Sequence, residues 1–124
     1  MSNQDITVAV LGASAKEDRY SYKCVSLLLE HGYNVIPITP AKNTICGITP
    51  VSAVENIDCD VDVLTMYVNP ARSSDMKDAI INLKPTRIIF NPGTESDELE
   101  AACEAAGIAT ERACTLILLN TDQF

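Results

Sequence analysis

The stretch VAVLGASAKEDRYSY, Val8 to Tyr22, reads as a buried strand, a tight Gly-Ala-Ser turn, a short polar loop and the start of a helix. Ile6–Leu11 is β-rich and almost continuously apolar, as a strand covered on both faces of a parallel sheet must be. Gly12-Ala13-Ser14 breaks it. Tyr20–His31 follows, with Tyr22, Val25, Leu28 and Leu29 at helical spacing and Gly32 as a C-terminal stop. Such a turn exposes backbone N–H groups next to a helix N-terminus, where partial positive charge favours an anion. Ser14 adds a hydroxyl, and Lys16, Arg19 and Lys23 add cations. An ordinary strand-to-helix turn uses Gly and Ser too, so the rest of the chain must set the ligand class.

Outward from this turn the same alternation recurs. Tyr33–Ile38 is a second strand, with Pro37 marking an edge or an end because it cannot donate to a ladder. Ile45–Val51 is a short, poor strand, and Ser52–Ile57 is a helical turn or two. Val61–Val68 is a strong strand. Asn69 as cap and Pro70 at the first helical position open a helix to about Leu83. Arg87–Phe90 is the next strand, Asn91-Pro92-Gly93 a turn, and Ser96 caps a helix from Asp97 to Ala106. Ile108–Glu111 is a last short strand. Alternating strands and helices predict βαβ units with right-handed crossovers. The expected fold is therefore a single Rossmann-like domain spanning residues 1–124: three α/β/α layers around a mostly parallel sheet, the first strand near its centre. Its ligand crevice lies beyond the carboxyl ends of the strands. Gly12–Tyr22, Thr39–Lys42, Tyr67–Arg72 and Asn91–Thr94 should converge there. The apolar tail Cys114–Leu119 must pack on the body or on another chain, which raises a homo-oligomer or a larger complex.

Composition narrows the partners. The 124 residues carry a net charge of −8, which argues against nucleic acid or an anionic membrane. It leaves room for a phosphorylated small molecule held by local N–H groups and a few cations. No apolar run approaches the ~20 residues of a membrane span. The five cysteines are odd in number and form no Cys-x-x-Cys pair, so neither a disulfide framework nor a zinc site is expected. Met1–Asp5 is polar and runs straight into a strand, unlike a signal peptide. A cytoplasmic setting with reduced thiols follows as the expectation.

The nucleotide is narrowed by what is missing. The Gly-x-Gly-x-x-Gly fingerprint is absent, and only Gly12 stands in its place. NAD sites place an acid about 20 residues further on, where it holds the ribose 2′-hydroxyl. Here the second strand ends Ile38-Thr39-Pro40, Lys42 follows, and no acid occurs until Glu55. That favours a nucleotide with an additional ribose phosphate, NADP or coenzyme A, over NAD.

In this order of motifs the chain resembles the small single-domain CoA-binding proteins, relatives of the CoA-binding domain of the succinyl-CoA synthetase alpha subunit. VAVLGAS with Arg19-Tyr20-Ser21-Tyr22 is similar to the family's Gly-Ala-Ser and Arg-Pro-Ser-Tyr. HGYNVIPITP, His31 to Pro40, is similar to its helix end, second strand and Asn-Pro. Val61–Val68 with Pro70-Ala71, and Asn91-Pro92-Gly93-Thr94, complete the series. The chain departs at Tyr20 and Thr39, at Arg72 two residues past Pro70, and at Glu111-Arg112-Ala113-Cys114, which has a residue inserted before the cysteine. The resemblance implies that Gly12, Ala13, Ser14, Arg19 and Ser21 line the pyrophosphate of coenzyme A or an acyl-CoA. It implies Thr39, Pro40 and Lys42 by the adenosine, and Tyr67, Val68 and Pro70 along the flank. Asn91, Pro92 and Gly93 would approach the pantetheine or the pyrophosphate.

Catalytic machinery is sparse, and no catalytic or metal-ligating residue is assigned. His31 sits at a helix end, where a dipole-compatible cap explains it. Asp58, Asp60 and Asp62 alternate, but a solvated loop explains them without a cation. Cys114 follows the last strand: it is either a buried structural cysteine or a partner for a CoA thiol through a mixed disulfide. Non-covalent binding of CoA or acyl-CoA by a regulatory module is the main expectation. The alternatives are an NADP-dependent oxidoreductase, with Tyr20, Tyr22 or Tyr67 as proton donor, and a nucleotide-binding subunit of a larger complex.

Overall fold

The computed structural model describes residues 3–124; Met1 and Ser2, the start of the polar stretch Met1–Asp5, lie outside the described residues. Thr7–Leu11 (β1), Tyr20–Glu30 (α1), Asn34–Ile38 (β2) and Val63–Met66 (β3) come first. Pro70–Ser73 (α2), Lys77–Leu83 (α3), Arg87–Phe90 (β4), Asp97–Ala105 (α4), Ala109–Arg112 (β5) and Thr115–Asn120 (α5) follow. The five strands form one sheet in the order β2-β1-β3-β4-β5. Every pairing is parallel. The expected Rossmann-like architecture is present, with β1 inside the sheet and β3 at its centre.

Side chains alternate across each strand, and the two faces build two cores. Val8 and Val10 of β1 and Ile89 of β4 pack with Cys24, Val25 and Leu28 of α1 and Leu119 of α5. Ala9, Leu11, Ile88 and Phe90 pack with Ile80 of α3 and Leu99 and Cys103 of α4. That is why β1 and β4 read as continuous apolar runs. Each fully buried large aliphatic side chain, such as Leu28 or Ile80, contributes roughly 1.5–3 kcal/mol.

Pro37 sits in an edge strand, as its missing donor requires. Its carbonyl accepts from Val51 N–H (2.9 Å) on the outer side, and Thr39 N–H donates to Val51 O (2.9 Å) on the same side. The proline therefore faces away from β1, where no ladder donor is lost. This outer contact is all that forms of the expected strand Ile45–Val51: isolated bridges pair Ile38 with Val51 and Ile45 with Ile48.

The expected helix from Pro70 to Leu83 is broken. Asn69 caps its start, Oδ1 accepting from Arg72 N–H at 3.0 Å. The ladder then tightens to a 3-10 turn over Ser74–Met76 before α3. The Ser73 and Ser74 hydroxyls donate back to the Pro70 and Ala71 carbonyls, a competition that bends helices. Ser96 caps α4 as its sequence predicts, accepting from Leu99 N–H at 3.2 Å. The apolar tail becomes α5 and folds onto the chain's own α1, which answers where it packs. Ile117 alone among its large side chains stays well exposed, at 61%.

Candidate functional site

The chain leaves β1 towards α1 on one face and leaves β3 towards α2 and α3 on the other. The carboxyl ends of these neighbouring strands therefore open a crevice, the switch point where ligands bind in such sheets. Gly12 forms its floor. Its φ is +91°, and a Cβ there would lie 2.9 Å from both Tyr67 O and Val68 Cγ1. Only glycine meets both demands.

The expectation that this turn exposes its N–H groups needs correction. Gly12 N–H and Ala13 N–H both donate to Ile38 O, at 3.0 and 3.1 Å, locking the turn to the end of β2. The anion-binding capacity falls instead to the start of α1. Arg19 occupies the N-cap position without a side-chain cap, so the first-turn N–H groups of Tyr20–Tyr22 face outward. The Ser14 hydroxyl accepts from Lys16 N–H at 3.1 Å and keeps its own proton to donate.

Two clefts meet over Gly12. One, of about 200 Å³, is walled by Leu11, Ile38, Thr39, Pro40, Val54, Val68, Met76 and Ala79, with Glu55, Arg72 and Asp75 among its polar groups. The other, of about 380 Å³, is walled by Ser14, Lys16, Arg19, Tyr20, Ser21, Tyr67 and Arg72. Gly12 and Arg72 belong to both. The second cleft holds three cations and no acid, on a protein of net charge −8. Its cations suit a phosphate; the first cleft combines apolar walls with the carboxylates of Glu55 and Asp75.

The expected site residues divide accordingly. Gly12, Ser14, Arg19, Ser21 and Tyr67 line the phosphate-suited cleft, and Gly12, Thr39, Pro40 and Val68 line its neighbour. Ala13 is buried beneath the turn, and Pro70 is exposed at the start of α2. Lys42 is exposed on the loop past Pro40 and walls neither cleft. Nor do Asn91, Pro92 and Gly93. The Asn91 side chain is 2% exposed and turned inward. Its Nδ2 donates to Thr65 Oγ1 (2.7 Å) and Met66 O (2.8 Å), and its Oδ1 accepts from Thr115 N–H (2.9 Å). Lys16 and Arg72 belong to segments expected at the crevice, Lys16 as one of its cations, and both wall the cationic cleft; Glu55 and Asp75 were not expected there. Arg72 had a local signal: it is the third residue of a helix that begins at the switch point. Glu55 and Asp75 had none, because long-range packing brings them in.

Other candidates sit elsewhere. His31 is the C-cap of α1, at the end remote from the clefts. Asp62 Oδ2 accepts from Thr7 N–H (2.8 Å) at the amino edge of the sheet. Among the described residues, no group of three or more His, Cys, Asp or Glu can hold a metal ion, and no helix is long and apolar enough to cross a membrane. Burial pushes the Cys24 thiol up to about 12. Burial, with Cys24 alongside, also raises Tyr67 well above an ordinary phenol, which makes it a poor proton donor near neutral pH. A cavity of about 420 Å³ opens at the opposite sheet edge. It is lined by Ile6, Tyr33, Val63 and Phe124, and its Arg87 is engaged by Glu111 at 2.6 Å and by the Phe124 ring. Size alone does not make it a nucleotide site.

Comparison with known proteins shows relatives in sequence and in fold. The uncharacterized protein YneT of Bacillus subtilis is 30% identical over 60 residues, 48% of this chain and 44% of that protein's length. A crystal structure of an uncharacterized protein superposes with a TM-score of 0.90 at 35% identity, covering 96% of this chain and 98% of the other. An acetyl-coenzyme A synthetase 1 of Ca. Korarchaeum cryptofilum, in complex with phosphate and ADP, superposes with a TM-score of 0.71 at 21% identity. That match covers 84% of this chain but 25% of the synthetase, and it speaks for the fold alone. The family model described as a CoA binding domain matches residues 6–120, and the chain belongs to that family.

Proposed function

We propose that the chain binds coenzyme A or an acyl-CoA non-covalently, as a binding module with no catalysis of its own. The observation that carries this is the segregation of charge between two clefts that share Gly12. The pyrophosphate sits in the cationic cleft, on the first turn of α1, with Ser14, Lys16, Arg19, Ser21 and Arg72 around it. Arg19 is the natural bidentate partner. The adenosine lies in the adjoining cleft against Thr39, Pro40 and Val68, with Lys42 on the loop beyond. The pantetheine leaves along Tyr67 and Pro70 towards the turn Asn91-Pro92-Gly93, where Asn91 acts by holding the backbone in place. Family membership supports coenzyme A as the nucleotide. Titration calorimetry against CoA, NADH, NADPH and ATP tests the assignment. CoA should bind with one site per chain; tight NADH with silent CoA would overturn it.

A further inference from the structure

We propose that Glu55 and Asp75 make the adenosine cleft select a ribose with free hydroxyls, so that a ribose phosphate is turned out of the cleft towards the Lys42 loop. This rests on the nucleotide assignment and sharpens it. From the sequence, the missing acid after β2 and the presence of Lys42 favour a ribose phosphate. The fold supplies the acid from another place. Thr39 N–H bonds to Val51 O (2.9 Å), and this pins the following segment against the end of β2. The 3-10 turn Val54–Asn56 thereby brings Glu55 to the same wall as Thr39 and Pro40. Asp75 reaches the cleft from the broken helix after β3. Among the described residues, neither carboxylate takes part in an ion pair. Lys42 is not part of the wall.

A carboxylate only accepts hydrogen bonds. Two of them beside one arginine match the hydroxyl donors of a ribose and repel a phosphate dianion. The adjoining cleft, with cations and no acid, takes the anionic part of the same ligand. The 3′-phosphate of coenzyme A then contributes little to affinity.

Calorimetry with CoA and 3′-dephospho-CoA on the full chain, Glu55→Gln and Asp75→Asn tests this. Both positions are exposed, so the substitutions leave the core untouched. The unaltered chain should bind 3′-dephospho-CoA at least as tightly as CoA. Each variant should gain about three- to tenfold in CoA affinity relative to 3′-dephospho-CoA, the scale of one relieved like-charge contact near a surface. A tenfold preference of the unaltered chain for CoA, or variants that leave the ratio unchanged, would overturn this proposal and leave the CoA assignment standing. Silence towards both ligands would remove the assignment and this proposal together.

Discussion

Gly12 meets two constraints with one residue, a backbone at φ +91° and a contact with the Tyr67 carbonyl that leaves no room for a methyl. Gly12→Ala should therefore cost about 1–3 kcal/mol of stability, measured by urea unfolding. A neutral result would mean the turn relaxes freely. Arg19 is exposed and free of ion pairs among the described residues, so its truncation probes binding. Arg19→Ala should weaken CoA by about 1–3 kcal/mol in calorimetry, as loss of a charge-assisted bond does. No change in affinity would take Arg19 out of the site. Cys24 is a test of burial. Its thiol is raised from an ordinary 9.0 to about 12, so the folded state holds its proton where the unfolded chain has lost it. The resulting stability is full below pH 9 and is lost as pH rises through about 12. Urea midpoints taken in steps across that window should fall more steeply for the unaltered chain than for Cys24→Ala. At this scale Gly12, Ser14 and Arg19 were legible because a strand, a turn and a helix start declare themselves within a dozen residues. Arg72 was legible too, at the end of the Tyr67–Arg72 stretch expected at the crevice; Glu55 and Asp75 were not, since only the packed structure brings them to the same cleft.

The elements are tied together by a buried polar network. Asn91 at the end of β4 satisfies the start of α5 through Thr115 N–H, while Thr65 Oγ1 and Thr115 Oγ1 lie 2.8 Å apart. The network has no vacancy, and its value lies in fixing where α5 docks. Asn91→Ala leaves the Thr115 N–H without its partner, and should cost about 1–3 kcal/mol in urea unfolding. If stability held while CoA affinity collapsed, the carboxamide would serve the ligand instead. The tail that becomes α5 was unreadable as a helix because a six-residue apolar run has no discernible period. The break after Ser73 was missed for the opposite reason: the apolar spacing continues across it, and the disturbance comes from two serine hydroxyls. Pro37 narrowed β2 to an edge or a strand end, and the sheet order makes it the edge.

For the whole molecule, alternating apolar strands and amphipathic helices were enough to give a three-layer parallel sheet and the edge at which a ligand binds. The strand order, and with it the pairing of the two clefts, required the packed structure. A chain of net charge −8 with Lys16, Arg19 and Arg72 gathered in one cleft should bind an anionic ligand in a salt-dependent way. CoA affinity should fall steadily as sodium chloride rises from low to physiological strength and beyond; a flat profile would point to an apolar binding mode. The most direct measurement is a titration of the ¹⁵N-labelled chain with CoA, followed by amide chemical shifts. The predicted result is a set of shifts centred on Gly12, Ser14, Arg19–Tyr22, Thr39 and Arg72. Shifts centred on Tyr33, Arg87 and Phe124 at the opposite sheet edge, or no shifts at saturating CoA, would contradict it.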